Sequence, residues 1–152
     1  MLVIGDKAPL FSLSDQDGNI HNLKDYISKK VILYFYPKDD TPGCTKEAIE
    51  FSQMKDKFDT LNTVILGVSR DSISKHKSFC DKHNLSITLL SDNDPFVTDS
   101  YGVWQEKKNY GRTYMGIVRS TFLINEKGLI DNIWSNVRVK GHVEAILKEI
   151  SS

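Results

Sequence analysis

The spacing of apolar residues along the chain changes several times, and each change marks an element. Leu10-Phe11-Ser12-Leu13 alternates, Asp17-Gly18 is a turn signal, and Ile20 and Leu23 follow, which predicts a short N-terminal β-hairpin. Val31-Ile32-Leu33-Tyr34-Phe35-Tyr36 is an unbroken run of β-formers, the pattern of a strand buried on both faces, and Pro37 ends it. From Thr45 to about Phe58 the apolar positions are Ala48, Ile49, Phe51, Met54 and Phe58. Spacings of three and four predict an amphipathic helix with Ile49 on its core face. Thr63 to Val68 reads as a second buried strand. Asp71 or Ser72 caps a helix running through Phe79 and Cys80 to about His83. Ile87 to Leu90 is a short strand, and Asp94-Pro95 opens a short helix through Val97 and Tyr101. Thr121-Phe122-Leu123-Ile124-Asn125 turns through Glu126-Lys127-Gly128 into Leu129 to Trp134, an antiparallel hairpin. Val143, Ile146, Leu147 and Ile150 define a C-terminal helix.

Strands that alternate with helices and close in a hairpin and a final helix indicate an α/β fold, a three-layer sandwich around a mixed sheet. A βαβ unit followed by a hairpin and helix matches thioredoxin-like architecture. No linker, repeat or composition shift divides the 152 residues, so residues 1–152 are expected to form one domain. Lys plus Arg balance Asp plus Glu at 20 each, which offers nothing to nucleic acid or an anionic membrane surface. No segment approaches the ~20 apolar residues of a membrane span. Met1-Leu2-Val3-Ile4-Gly5-Asp6 lacks the basic start and apolar run of a secretory signal, so a cytoplasmic location is expected. Two cysteines in that setting point to redox chemistry rather than structural staples. They are far apart, there is no Cys-x-x-Cys, and His21, His76, His83 and His142 form no close pair, so no metal is expected.

The strongest chemical signal is Pro37-Lys38-Asp39-Asp40-Thr41-Pro42-Gly43-Cys44-Thr45-Lys46-Glu47. It places a cysteine just after a polar loop, where a helix begins. Helix N-termini present N–H groups without intrahelical partners and a partial positive charge. A thiol there is favoured as thiolate, the reactive form.

Pro37, Thr41 and Cys44 reproduce the Pro-x-x-x-Thr-x-x-Cys pattern of peroxiredoxins, and the run from Tyr34 to Glu47 closely resembles their peroxiredoxin Q, or bacterioferritin comigratory protein, group. The similarity continues through Trp104-Gln105-Glu106-Lys107-Lys108, Tyr110-Gly111-Arg112 and Gly116 to Ile124, and so covers essentially the whole chain. The resemblance implies a thiol-dependent peroxidase acting on hydrogen peroxide and organic hydroperoxides, with no cofactor and with thioredoxin or a similar thiol as reductant. It implies that Cys44 is the peroxidatic nucleophile and passes through sulfenic acid. Thr41 is then expected to hydrogen-bond the sulfur and the peroxide, Pro37 to shield the pocket, and Arg119 to stand beside Cys44 as a fixed cation. The N–H groups of Gly43 and Cys44 are candidates to hold peroxide oxygens. Glu47 is a candidate member of the Arg119 network or simply a first-turn acid at the helix dipole. Trp104 and Tyr110 are candidates for the pocket rim or for packing. The group is commonly monomeric, and a monomer is expected.

Many members of the group carry a resolving cysteine five positions after the first, where this chain has Ile49. The resemblance to a subgroup transfers that role to Cys80, through a Cys44–Cys80 disulfide. Lys77, Lys82 and His83 are expected to favour a Cys80 thiolate. The alternative is a one-cysteine enzyme resolved by an external thiol. A disulfide oxidoreductase is disfavoured because the active turn holds one cysteine. A redox-sensing binding module has no need of the full Pro37, Thr41, Cys44, Arg119 set.

Overall fold

A computed structural model describes residues 1–93 and 96–152. Asp94 and Pro95, the expected start of a short helix, lie outside the described residues. Nine strands are described: β1 (Ser12–Asp15), β2 (Ile20–Asn22), β3 (Lys30–Phe35), β4 (Thr63–Ser69), β5 (Thr88–Ser91), β6 (Trp104–Asn109), β7 (Arg112–Ile117), β8 (Ser120–Ile124) and β9 (Ile130–Trp134). The α-helices are α1 (Pro42–Thr60), α2 (Ile73–His83), α3 (Val97–Ser100) and α4 (His142–Ser151). Seven strands form one mixed sheet in the order β2-β1-β5-β4-β3-β8-β9. β3 runs parallel to β4 and β4 to β5, while β8 lies antiparallel to β3. The N-terminal hairpin is β1–β2, and the closing hairpin is β8–β9.

This topology decides where the chemistry sits. The crossovers β3-α1-β4 and β4-α2-β5 step in the same direction across the sheet. Right-handed crossovers then put both helices on one face. The packing agrees: Ile32, Tyr34 and Tyr36 of the β3 run meet Ala48, Phe51 and Phe58 of α1, Phe79 of α2, and Val143 and Ile146 of α4. The alternate residues Val31, Leu33 and Phe35 pack on the other face against Phe11, Leu23, Val97 and Tyr101. Cys44 and Cys80 therefore share one apolar layer.

Two elements depart from the pattern-based expectation. Ile49 is half-buried and stands outside both core clusters, beside Pro42, Thr45 and Gln53 on the open side of α1, so it is not a core residue. The β6–β7 hairpin was not anticipated. Most of its residues are exposed, so no alternation of apolar and polar residues marks it. Its signal is the two-residue turn Tyr110-Gly111, both at positive φ, which suits a hairpin with right-handed twist.

Gly67 of β4 sets the packing under the functional layer. A Cβ there would lie 2.7 Å from Tyr34 Cζ and 2.8 Å from Leu89 Cδ2. The Tyr34 ring uses that space to stack on Phe51, with centroids 4.6 Å apart. Gly67→Ala is therefore expected to cost about 1–3 kcal/mol through overpacking, read as a lower urea midpoint with an unchanged m-value.

Candidate active site

The site is built at the C-terminal ends of β3 and β4, where the loops of open α/β sheets gather ligands. β3 ends at Phe35, and the chain passes through Tyr36 to Thr41 into α1. Thr41 occupies the N-cap position with extended backbone, and Pro42 opens the helix, where its missing N–H costs nothing. The first intrahelical bond to close the turn runs from Thr45 N–H to Thr41 O, 2.8 Å. The helix therefore begins three residues before the apolar pattern does, because its first turn carries chemistry rather than core contacts. Cys44 falls within that turn, only 2% exposed, at the end of the helix where N–H groups lack partners.

Register brings in the cation. Phe35 of β3 pairs with Ser120 of antiparallel β8, so Arg119, one residue earlier, lies at the same sheet end as the Cys44 loop. Its Nη2 donates to Cys44 Sγ at 3.3 Å, and its Nη1 donates to Glu47 Oε1 at 2.7 Å. A Cβ on Gly43 would stand 3.1 Å from Arg119 Nη2, so glycine before the cysteine lets the guanidinium lie close against the helix. Glu47 is fully buried. Burial pushes its carboxyl up to about 7, against the opposing pull of Arg119, while the fields of Glu47 and Cys44 raise Arg119 further despite its own burial. Glu47 Oε2 and the Tyr34 hydroxyl are buried without a hydrogen-bond partner among the described residues.

The remaining expected residues are placed as follows. The Thr41 hydroxyl donates to Lys38 O at 2.8 Å and makes no side-chain cap bond, so its hydrogen is directed into the loop and not at the sulfur. Pro37 is half-buried between Tyr36 and Lys38. Tyr110 is 98% exposed at its hairpin tip and lines an open surface hollow with Asn109, Arg112, Thr113 and Tyr114, which includes no residue of the Cys44 loop. The Trp104 ring covers the Arg70 guanidinium, 3.4 Å from its centroid, with Phe96 also against it at 3.8 Å.

Cys80 is buried on α2, and both cysteines are free thiols here. Its surroundings reverse the expectation drawn from nearby bases. Lys77 pairs with Asp17 and Asp81, and Lys82 and His83 both reach Asp40. Desolvation, followed by Asp39, Asp81 and Asp17, pushes the Cys80 thiol up to about 12, with Lys77 opposing only weakly. A second arrangement was not read from the sequence at all. Asp39, Asp71 and His76, on three separate segments, bring ligand-type atoms within 4.8 Å of one another. Those atoms bond to each other and to nearby donors. His76 Nδ1 lies 2.6 Å from Asp39 Oδ2, and Asp71 Oδ2 accepts from Asp39 N–H at 2.8 Å and from the Ser69 hydroxyl at 2.6 Å.

A thiol in a helix's first turn, bonded by a half-buried guanidinium beneath a proline-bounded loop, is an arrangement for nucleophilic sulfur chemistry. Residues 4–133 match the AhpC/TSA family model. The chain belongs to that family and is a peroxiredoxin, a thiol peroxidase of thioredoxin-like fold. Within the family its relatives are the Bcp, or peroxiredoxin Q, proteins. It is 49% identical over 144 residues to a putative Bcp peroxiredoxin of Coxiella burnetii, covering 95% of each chain. It is 47% identical to peroxiredoxin Bcp of Bacillus subtilis, over 97% of this chain and 94% of the relative. A solved peroxiredoxin Q variant from Xylella fastidiosa superimposes with a TM-score of 0.94 at 37% identity, covering 99% of this chain and 96% of that one. A bacterioferritin comigratory protein from Xanthomonas campestris, studied for alkyl peroxide reduction, gives 0.88 at 38% identity, covering 93% and 90%.

The Glu47 environment gives a signed pH prediction. Its folded value, about 7, is raised above the unfolded 4.5, so the folded state holds this proton more tightly. Its contribution to stability is therefore greatest below about 4.5 and is lost as pH rises through about 7. Over that window the loss is on the order of 3 kcal/mol. In Glu47→Gln this component of the stability slope is expected to vanish, as measured by urea unfolding at intervals across the window.

Proposed function

We propose that this peroxiredoxin reduces hydrogen peroxide and small organic hydroperoxides at Cys44, and the observation that carries the reading is the Arg119 guanidinium bonded to both Cys44 and Glu47. The Cys44 thiolate attacks the terminal oxygen of the hydroperoxide. An S–O bond forms and the O–O bond breaks. The hydroxyl stays on sulfur as sulfenic acid, and the alkoxide or hydroxide leaves and takes a proton from water. Arg119 stands where that negative charge moves, from sulfur toward the departing oxygen, and does not have to reorganise as the reaction proceeds. The N–H groups of Gly43 and Cys44 are donors to the peroxide oxygens. Thr41, its hydrogen committed to Lys38 O, has acceptor capacity for the peroxide O–H. Pro37 limits water at the loop. Glu47 positions Arg119.

Cys80 then resolves the intermediate. Its sulfur attacks the Cys44 sulfenic sulfur, an S–S bond forms, and hydroxide leaves and combines with the proton given up by the Cys80 thiol. Thioredoxin, or a similar dithiol, returns two electrons to the disulfide. The enzyme acts as a cytoplasmic monomer formed by a single domain over residues 1–152. Among the described residues no helix is long and apolar enough to cross a membrane.

One observation favours a second reading for the later step. Cys80 sits in surroundings that oppose its thiolate, which suits resolution by an external thiol. Peptide mass analysis after one equivalent of peroxide separates the two. The expected product is a Cys44–Cys80 crosslink, whereas sulfinic acid at Cys44 with no linked peptide would remove Cys80 from the mechanism. Cys44→Ser is expected to abolish peroxide consumption. Cys80→Ser is expected to keep the first turnover and lose thioredoxin-dependent cycling by about a hundredfold.

A further inference from the structure

His76 is fully buried on α2, one helical turn before Cys80. Both of its ring nitrogens are engaged. Nε2 lies 3.0 Å from Leu90 O, which only accepts, so Nε2 carries a hydrogen. Nδ1 faces Asp39 Oδ2 at 2.6 Å, a separation that also requires a hydrogen between the two atoms. Asp39 belongs to the loop that delivers Cys44. Its Oδ1 accepts from the Tyr36 hydroxyl at 2.6 Å, and its N–H donates to Asp71 Oδ2. One buried, charge-assisted contact thus joins the Cys44 loop to the Cys80 helix, and its strength comes from burial and short geometry. At the rim of the same seam, Asp40 makes exposed contacts to Lys82 and His83. Exposed pairs of that kind hold weakly. Between them a cleft of about 540 Å³ separates the loop from α2 at the surface, lined by Asp40, Thr41, Ser74, Ser78 and Phe79 among others, and beneath it Tyr36, Phe79 and the two cysteines share the apolar layer.

Cys80 is a buried free thiol among groups that oppose its ionisation, while Cys44 Sγ is held by Arg119. A buried thiol becomes available for exchange when the segment that carries it loosens. The buried polar contact that resists loosening of α2 from the loop is the one just described.

We propose that the Asp39–His76 pair is a latch that holds α2 and Cys80 against the Cys44 loop, and that its opening sets the rate at which Cys80 reaches oxidised Cys44. This rests on the reading of Cys80 as the resolving thiol. Tyr36 and Asp71 fix the Asp39 carboxylate, and Leu90 fixes the far side of the ring. While the latch is closed, Cys44 sulfenic acid remains open to a second peroxide, which converts it to sulfinic acid with release of the corresponding alcohol or water. Asp39 and His76 are thus positioning residues for the second step, with no contact to peroxide in the first.

The test separates the steps in the full chain. Stopped-flow with hydrogen peroxide resolves sulfenic acid formation from disulfide formation, and amide hydrogen exchange reports opening of α2. His76→Phe keeps ring volume and removes both hydrogen bonds. It is expected to leave the first phase within about twofold of wild type, to speed the second by about tenfold or more, and to raise exchange in residues 73–83 and 38–41 selectively. Asp39→Asn keeps the shape but replaces the charge-assisted contact with a weaker neutral one, so it is expected to leave the first phase within about twofold of wild type and to speed the second by less than His76→Phe does. Should His76→Phe not fold, Tyr36→Phe, which removes one support of Asp39, is expected to change the second phase in the same direction by about two- to threefold. Unchanged α2 exchange and an unchanged second phase in a folded variant would overturn the latch. If wild type forms no Cys44–Cys80 disulfide, the assignment of Cys80 fails instead, and the exchange data still decide whether the pair holds α2.

Discussion

One guanidinium joins the parts of this site. Arg119 leaves the sheet just before β8 and reaches a carboxylate and a sulfur that lie one turn apart on α1. Three features of the chain make that reach possible. The β3–β8 register places Arg119 at the right end of the sheet. Gly43 removes the side chain that would meet Nη2. Pro42 starts the helix early enough for Cys44 and Glu47 to face the same way. A buried carboxylate is costly without a partner, and Glu47 has Arg119 on one oxygen and, among the described residues, no hydrogen-bond partner on the other. That imperfect satisfaction is the sort of local cost that functional sites carry and the surrounding fold supports.

Topology supplies the second constraint. Two crossovers of one hand, stepping the same way, lay α1 and α2 side by side on the sheet. This brings both cysteines into one apolar layer without bonding them. Apolar surroundings suit the storage of two thiols and oppose the use of the second. On the proposed mechanism the enzyme therefore needs a fold that is firm around Cys44 and releasable around Cys80. The contrast is visible in how the two helices are held. α1 packs Ala48, Phe51 and Phe58 into the core over 19 residues, whereas α2 spans 11 residues and offers Phe79 and Cys80 together with the polar His76 contact.

Much of this was legible in the sequence, for identifiable reasons. Long apolar runs and helical spacing give β3, β4, α1, α2 and α4, because burial on a sheet face imposes those periods. The Cys44 loop was legible because its residue types are tied to its chemistry. Ile49 misled because helical spacing alone does not say which apolar residue is covered, and the open side of α1 has no partner there. The exposed β6–β7 hairpin left only its Tyr110-Gly111 turn as a trace. The bases around Cys80 misled because a charge near in sequence can be spent on another partner, here Asp40, Asp17 and Asp81. The Glu47–Arg119 pairing was legible only as one of two alternatives for Glu47, and the full burial of Glu47 and the Asp39–His76 contact were illegible, since they depend on residues far apart along the chain that the fold brings together.

The central claim is that Arg119 makes Cys44 reactive toward peroxide. The most direct measurement is the second-order rate of Cys44 oxidation by hydrogen peroxide at neutral pH, in wild type and in Arg119→Met, with the fold of each checked by circular dichroism. Loss of one fixed donor to a developing oxyanion typically costs a factor of about 10²–10³, and a loss of that size is the predicted result. A rate within about twofold of wild type in a folded Arg119→Met protein would contradict the account.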